Sequence, residues 1–174
     1  MILPILYYPD PLLEQKSEPV TEITDEIRQL AQDMTETMYK ADGIGLAAPQ
    51  IGRLIRMVVI DITGPEKRED LRILINPELT PVESEGFVEG EEGCLSVRDY
   101  RSNVVRYAKV LYKALDLNGK EISGEAEGLL SVCLQHETDH LDGKVFLDRI
   151  SRLKRRLYTE KLKKRLAGRT GGRR

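Results

Sequence analysis

Only two histidines occur in the 174 residues, and both fall within five positions, His136-Glu137-Thr138-Asp139-His140. On an α-helix successive residues turn by about 100°, so His140 lies about 40° around from His136 and one turn further along. Two imidazoles so related can converge on one metal ion. Glu137 projects beside them, where its carboxylate can take a proton from water polarised by the ion, which is how H-E-x-x-H supports hydrolysis. The window therefore asks for a helix. Leu129, Leu130, Val132, Leu134 and Leu141 spread around most of the circumference of a helix over 127–141, so it belongs in the interior with the histidines in a largely dry setting. Taken alone, the motif also fits a chance match in which the histidines only pack.

A catalytic ion of this kind takes a third protein ligand and keeps one position open. With no further histidine, the donor is an Asp, a Glu or one of the two cysteines, Cys94 and Cys133. Cys133 shares the helical face of His136 but is seven residues from His140, about 10.5 Å of axial rise. Three donors strung along one axis do not readily surround an ion whose bonds are about 2.0–2.3 Å. Cys94 comes from a separate segment, Glu92-Gly93-Cys94-Leu95-Ser96, in which Gly93 lets the backbone approach closely. Cys94 is therefore the favoured ligand and Cys133 a small buried residue of the pocket wall.

The remaining pattern describes one α+β domain. Thr24 as N-cap, followed by Ile27, Leu30, Ala31, Met34 and Met38 at helical spacing, predicts a first helix that stops at Asp42-Gly43 and packs on a sheet. Residues 55–62 and 71–75 read as strands around a charged Gly-Pro loop at 64–70. Residues 104–117 read as further strand, turned by Asn118-Gly119 into 120–123. A final helix is expected over 151–166, with Leu153, Leu157, Leu162 and Leu166 as a thin apolar stripe, and 168–174 as a disordered end. The length suits a single core. Two cysteines supply no disulfide framework, and one offered to a metal must stay reduced, which points to the cytoplasm. The apolar start, Met1 to Tyr8, lacks a basic flank and is broken by Pro4, with Pro9 and Pro11 following, so it reads as neither signal peptide nor membrane span.

Three separated motifs now carry a resemblance. Gly43-Ile44-Gly45-Leu46-Ala47-Ala48-Pro49-Gln50, Glu92-Gly93-Cys94-Leu95-Ser96 and Gln135-His136-Glu137-Thr138-Asp139-His140-Leu141 occur in the order found in peptide deformylases, and the likeness runs from Tyr8-Pro9-Asp10-Pro11 to about Ser151. The resemblance implies sheets packed around a central H-E-x-x-H helix. It implies hydrolysis of the formyl group on the N-terminal methionine of nascent polypeptides, with one divalent ion on Cys94, His136 and His140. Fe²⁺ is the implied cellular ion, and a thiolate with two imidazoles also suits Zn²⁺, Ni²⁺ or Co²⁺. Glu137 becomes the proton carrier, and the Gln50 amide and the Leu95 backbone N–H become donors to the oxyanion. The segments around Gly43, Ile44 and Gly45 and around Gly90 and Glu92 would hold the substrate backbone as an added strand. Ile44, Leu129, Cys133 and the flank of His136 would form the methionine pocket. Two positions depart from the common pattern: Gly90, where relatives often carry a bulky aliphatic residue, and Arg98, where many carry proline. Arg101 is a candidate peptide contact near the mouth.

Charge divides the chain. From Lys144 onward thirteen basic side chains face two acidic ones, a net of +11 in a chain whose total is −2, so the first 143 residues carry −13. The resulting scheme is a catalytic domain over 1–150 and a basic C-terminal helix and tail over 151–174. The basic end suggests contact with a polyanion, and the resemblance makes that polyanion the ribosome near its exit. Two rival readings are a zincin-type endopeptidase, which lacks a further downstream ligand here, and a nucleic-acid-binding module with a relict metal site, which would have no use for Glu137, Gln50 and Cys94.

Overall fold

Thr24 Oγ1 accepts the Ile27 amide at 3.3 Å, and Asp25 and Glu26 put negative charge in the first turn, so α1 (Asp25–Lys40) starts where its cap predicts. The computed structural model describes residues 1–170. After α1 come β1 (Gly45–Ala47), β2 (Met57–Ile60), the single turn α2 (Gly64–Lys67), β3 (Arg72–Pro81), β4 (Phe87–Cys94), β5 (Val97–Tyr107), β6 (Lys109–Leu115), β7 (Glu121–Glu127), α3 (Gly128–Leu141) and α4 (Arg152–Thr170). Five strands form one antiparallel sheet in the order β1-β2-β3-β6-β7, and β4 and β5 form a separate antiparallel ribbon. β1 pairs only with β2 and β4 only with β5, so each keeps an open edge among the described residues.

Alternation along β2 explains how both faces of the large sheet are covered. Met57 and Val59 join Leu30, Met34 and Met38 of α1 on one face, while Val58 and Ile60 join Leu130, Leu134 and Leu141 of α3 on the other. The run Met57-Val58-Val59-Ile60 is accordingly apolar without a break. A third cluster, with Tyr8, Leu13, Val97, Val104, Phe146, Leu147 and Tyr158, joins the chain start, the ribbon and α4. The H-E-x-x-H helix α3 thus lies centrally, as expected, and α1 ends at Lys40 with Ala41 as its cap, just before the Asp42-Gly43 stop that was expected.

Several expected boundaries move. The apparent strand 104–117 is two strands in different sheets, with the change at Ala108, whose amide bonds Gly86 O at 3.0 Å. No Gly or Pro marks the change of sheet, and Ala108-Lys109 interrupts the β-forming residues no more than Lys113-Ala114 does within β6. The strand expected at 71–75 continues to Pro81 through an irregularity between Ile75 and Glu78, with Asn76 at a φ of +52°. Residues 64–67, expected as loop, close a helical turn. β4 was not foreseen, because Phe87-Val88-Glu89-Gly90-Glu91-Glu92-Gly93-Cys94 has little strand propensity and forms through pairing with β5. The final helix runs on through Thr170, so 168–170 are ordered, and 171–174 lie outside the described residues. Its inward face also differs from the leucine stripe: Tyr158 is buried and Leu162 partly so, while Leu153, Leu157 and Leu166 are exposed.

Candidate metal centre and cleft

Cys94 ends β4, and a two-residue turn of Leu95 and Ser96 returns the chain to Val97, its partner in register. This tight hairpin points the thiol at α3. Cys94 Sγ is 3.3 Å from His140 Nε2, and the donor atoms of Cys94, His136 and His140 lie within 4.8 Å of one another. His140 is fully buried and His136 is 9% exposed. An ion with bonds of roughly 2.0–2.3 Å would draw the more widely spaced of these donors together by about 1 Å. Cys133 is not in the group, in keeping with the axial-distance argument; burial pushes its thiol up to about 12, as befits an inert wall residue.

The orientation of His136 also fits a ligand. Its Nδ1 lies 2.9 Å from Glu92 Oε1, which leaves Nε2 for the ion. Arg106 grips Glu92 with Nε to Oε2 and Nη2 to Oε1, both 2.9 Å, and extends Nη1 to Asp139 Oδ2 at 2.7 Å. Asp139 in turn accepts from Arg149 at 2.8 and 3.1 Å. Burial alone would raise the Glu92 and Asp139 carboxyls, but these donors outweigh it and hold both below the usual carboxylate range. Sequence reasoning missed this relay. Its signal was present: Val104 and Arg106 share the buried face of β5 while Val105 is 57% exposed, and a buried arginine calls for carboxylates.

Glu137 lies beside the three ligands and is 4% exposed. Burial pushes its carboxyl up to about 7, with the charges of His136 and Arg106 opposing and those of Glu92 and Asp139 adding. Its Oε2 has no hydrogen-bond partner among the described residues, so an acceptor is held for whatever enters. Gln50 is buried, with Oε1 accepting the Ala47 amide at 2.9 Å. That bond fixes the amide, so Nε2 faces Cys94 Sγ at 3.5 Å and Ser96 Oγ at 3.1 Å. The same side chain thus caps the Ala47 backbone and turns its Nε2 toward Cys94.

A cleft of about 330 Å³ opens over the centre. Gly43, Ile44, Gly45, Gln50, Glu92, Cys94, Leu95, Arg101, Leu129, Cys133, His136 and Glu137 all line it. Leu129, read as part of a buried helix, is instead half exposed at the cleft. Two candidates for holding peptide behave differently from expectation. Gly90 is not among the lining residues; it pairs with Val104 along the ribbon and stands in open space. Glu92 spends its carboxylate on Arg106 and His136, so its side chain orients a ligand. Arg101 at the rim is tied to Glu91 at 2.7 Å. A larger depression of about 590 Å³ shares Arg106 and Asp139 but includes neither cysteine nor either histidine.

Fold and site together define an H-E-x-x-H hydrolase class in which a hairpin cysteine joins the two histidines in a group placed to hold a metal ion. The polypeptide deformylase family model matches residues 2–156. The chain is 50% identical over 162 residues to a peptide deformylase of Thermodesulfovibrio yellowstonii, covering 93% of this chain and 97% of that one. It is 51% identical over 164 residues to one of Acidobacterium capsulatum, covering 94% and 95%. The crystal structure of a peptide deformylase from Legionella pneumophila superposes with a TM-score of 0.87 at 45% identity, over 100% of this chain and 99% of that one. This chain belongs to the peptide deformylase family.

Proposed function

We propose that this protein hydrolyses the formyl group from the N-terminal formyl-methionine of newly made polypeptides, releasing formate and a free amine. The observation that carries the reading is Glu137, buried with a free acceptor oxygen beside Cys94, His136 and His140 at the floor of a narrow cleft. A divalent ion held by those three residues would supply Lewis acidity toward water and the formyl oxygen. Glu137 takes the proton from the attacking water and passes it to the leaving amine. Gln50 Nε2 and the Leu95 backbone N–H donate to the developing oxyanion. Ile44, Leu129 and Cys133 receive the methionine side chain, with backbone of Gly43 and Gly45 and the Arg101 rim along the peptide.

Fe²⁺ is the proposed cellular ion, and the cytoplasm the proposed site of action; no helix among the described residues is long and apolar enough to cross a membrane. Catalysis is assigned to 1–150 and anion contact to 151–174, with the exposed side of α4 facing ribosomal RNA. Changing Lys154, Lys161, Lys163 and Lys164 together to Gln should weaken co-sedimentation with ribosomes at low salt and flatten its salt dependence by counterion release; unchanged pelleting would remove the ribosome from the proposal.

Formate release from formyl-Met-Ala, with acetyl-Met-Ala as control, tests the chemistry. Glu137→Ala should keep its metal and lose at least about 10²-fold in turnover. Cys94→Ala should lose both metal and activity, and Cys133→Ala should retain metal. Parental turnover in Glu137→Ala would refute the proton role, and the reverse cysteine pattern the ligand set.

A further inference from the structure

The hairpin that carries Cys94 is short, so the cysteine follows wherever the returning strand is held: Cys94 precedes a two-residue turn, and its Sγ is met by the Ser96 amide at 3.4 Å and Gln50 Nε2 at 3.5 Å. Where the thiolate sits therefore depends on what holds residues 96–100. Two segments do so. From one side Tyr8 N donates to Ser96 O at 2.8 Å. From the other, α4 reaches the base of the hairpin: Tyr158 Oη donates to Arg98 O at 3.1 Å, and Arg165 Nη1 lies 3.3 Å from Asp99 Oδ2. Asp99 has a φ of +52°, a left-handed conformation that aspartate tolerates better than most residues with a side chain. One contact from α4 falls on the carbonyl just before that residue and the other on its side chain.

Tyr158 is the centre of this support. It is 7% exposed, and its ring lies 4.8 Å from Tyr100 and 6.2 Å from Tyr8, centroid to centroid. Tyr100 stacks on Phe146, and Phe146 on His136, each at 6.2 Å. Cys94 itself packs against this cluster. One aromatic side chain from the C-terminal helix thus touches the backbone behind one proposed ligand and the ring column that ends on another.

We infer that Tyr158 is a positioning residue for the Cys94 thiolate, which makes α4 a working part of the metal centre's support as well as a basic surface. This rests on the reading that Cys94, His136 and His140 hold an ion. The test uses full-length protein loaded with cobalt(II), whose sulfur-to-metal charge-transfer absorption reports the thiolate bond, and follows cobalt loss to a chelator. Tyr158→Leu keeps apolar bulk but removes ring and hydroxyl; it should shed cobalt about tenfold faster, the lower range for residues supporting a ligand, with a weakened charge-transfer band. Tyr158→Phe should fall between Leu and parent, and Leu153→Ala, exposed on the same helix, should match the parent. In deformylation kcat should fall with KM for formyl-Met-Ala held. A residue that merely fills the core would lower Tm and leave band and chelation rate at parental values, and that result for Tyr158→Leu overturns this inference alone. Absence of the thiolate band in the parent overturns the ligand reading as well.

Discussion

At Gly45 one methyl group decides where the carboxylate of Glu137, the proposed proton carrier, sits. A Cβ built there would stand 2.5 Å from Glu137 Oε1 and 2.9 Å from its Cδ, so any side chain must drive the carboxylate aside. A displacement of about 1 Å at a reacting group can lower a rate by about 10². Gly45→Ala should therefore reduce kcat by about 10²-fold in formate release while metal content stays parental; parental kcat would mean that Glu137 moves freely. The residue scale is also where the sequence speaks most directly. His136, Glu137 and His140 are related by helix periodicity, and the choice of Cys94 over Cys133 needs only axial rise. Glu92, Asp139 and Arg106 were harder. The resemblance made Glu92 part of the segment that holds the peptide backbone, and only the fold reveals that its side chain turns toward Arg106 and His136.

Among elements, α3 and the ribbon are joined by charge as much as by apolar packing. Arg106 of β5 is 4% exposed and binds Glu92 of β4 and Asp139 of α3. Replacing it with Leu leaves two carboxylates in a dry interior, a loss of about 3–5 kcal/mol for a broken buried pair. Arg106→Leu should show this in denaturant unfolding of metal-loaded protein at fixed metal concentration; a change under about 1 kcal/mol would mean that water reaches the pair. The helices α1 and α3 were legible because caps and apolar spacing act within a few residues. The passage from β5 to β6 was not, because it depends on which sheet each strand joins. The inward face of α4 was misread for a related reason: leucines at Leu153 and Leu157 suggested a stripe, but the third cluster offers a place for Tyr158, and an amphipathic pattern diluted by many basic residues does not say which side docks.

Across the whole molecule, two strands with open edges, β1 and β4, meet at the same cleft. Open edges usually invite association with other extended chains. Here β1 has three residues, two of them fully buried, and the space above it is about 330 Å³. A space of that size suits a single unpaired chain end. A nascent chain offers such an end only until its first residues are committed to a strand or helix of their own. The geometry of the cleft therefore sets a clock: removal of the formyl group competes with the substrate's own folding, and a protein whose N-terminus closes quickly into its core leaves this enzyme only the interval before closure, or the rare moments when that core reopens.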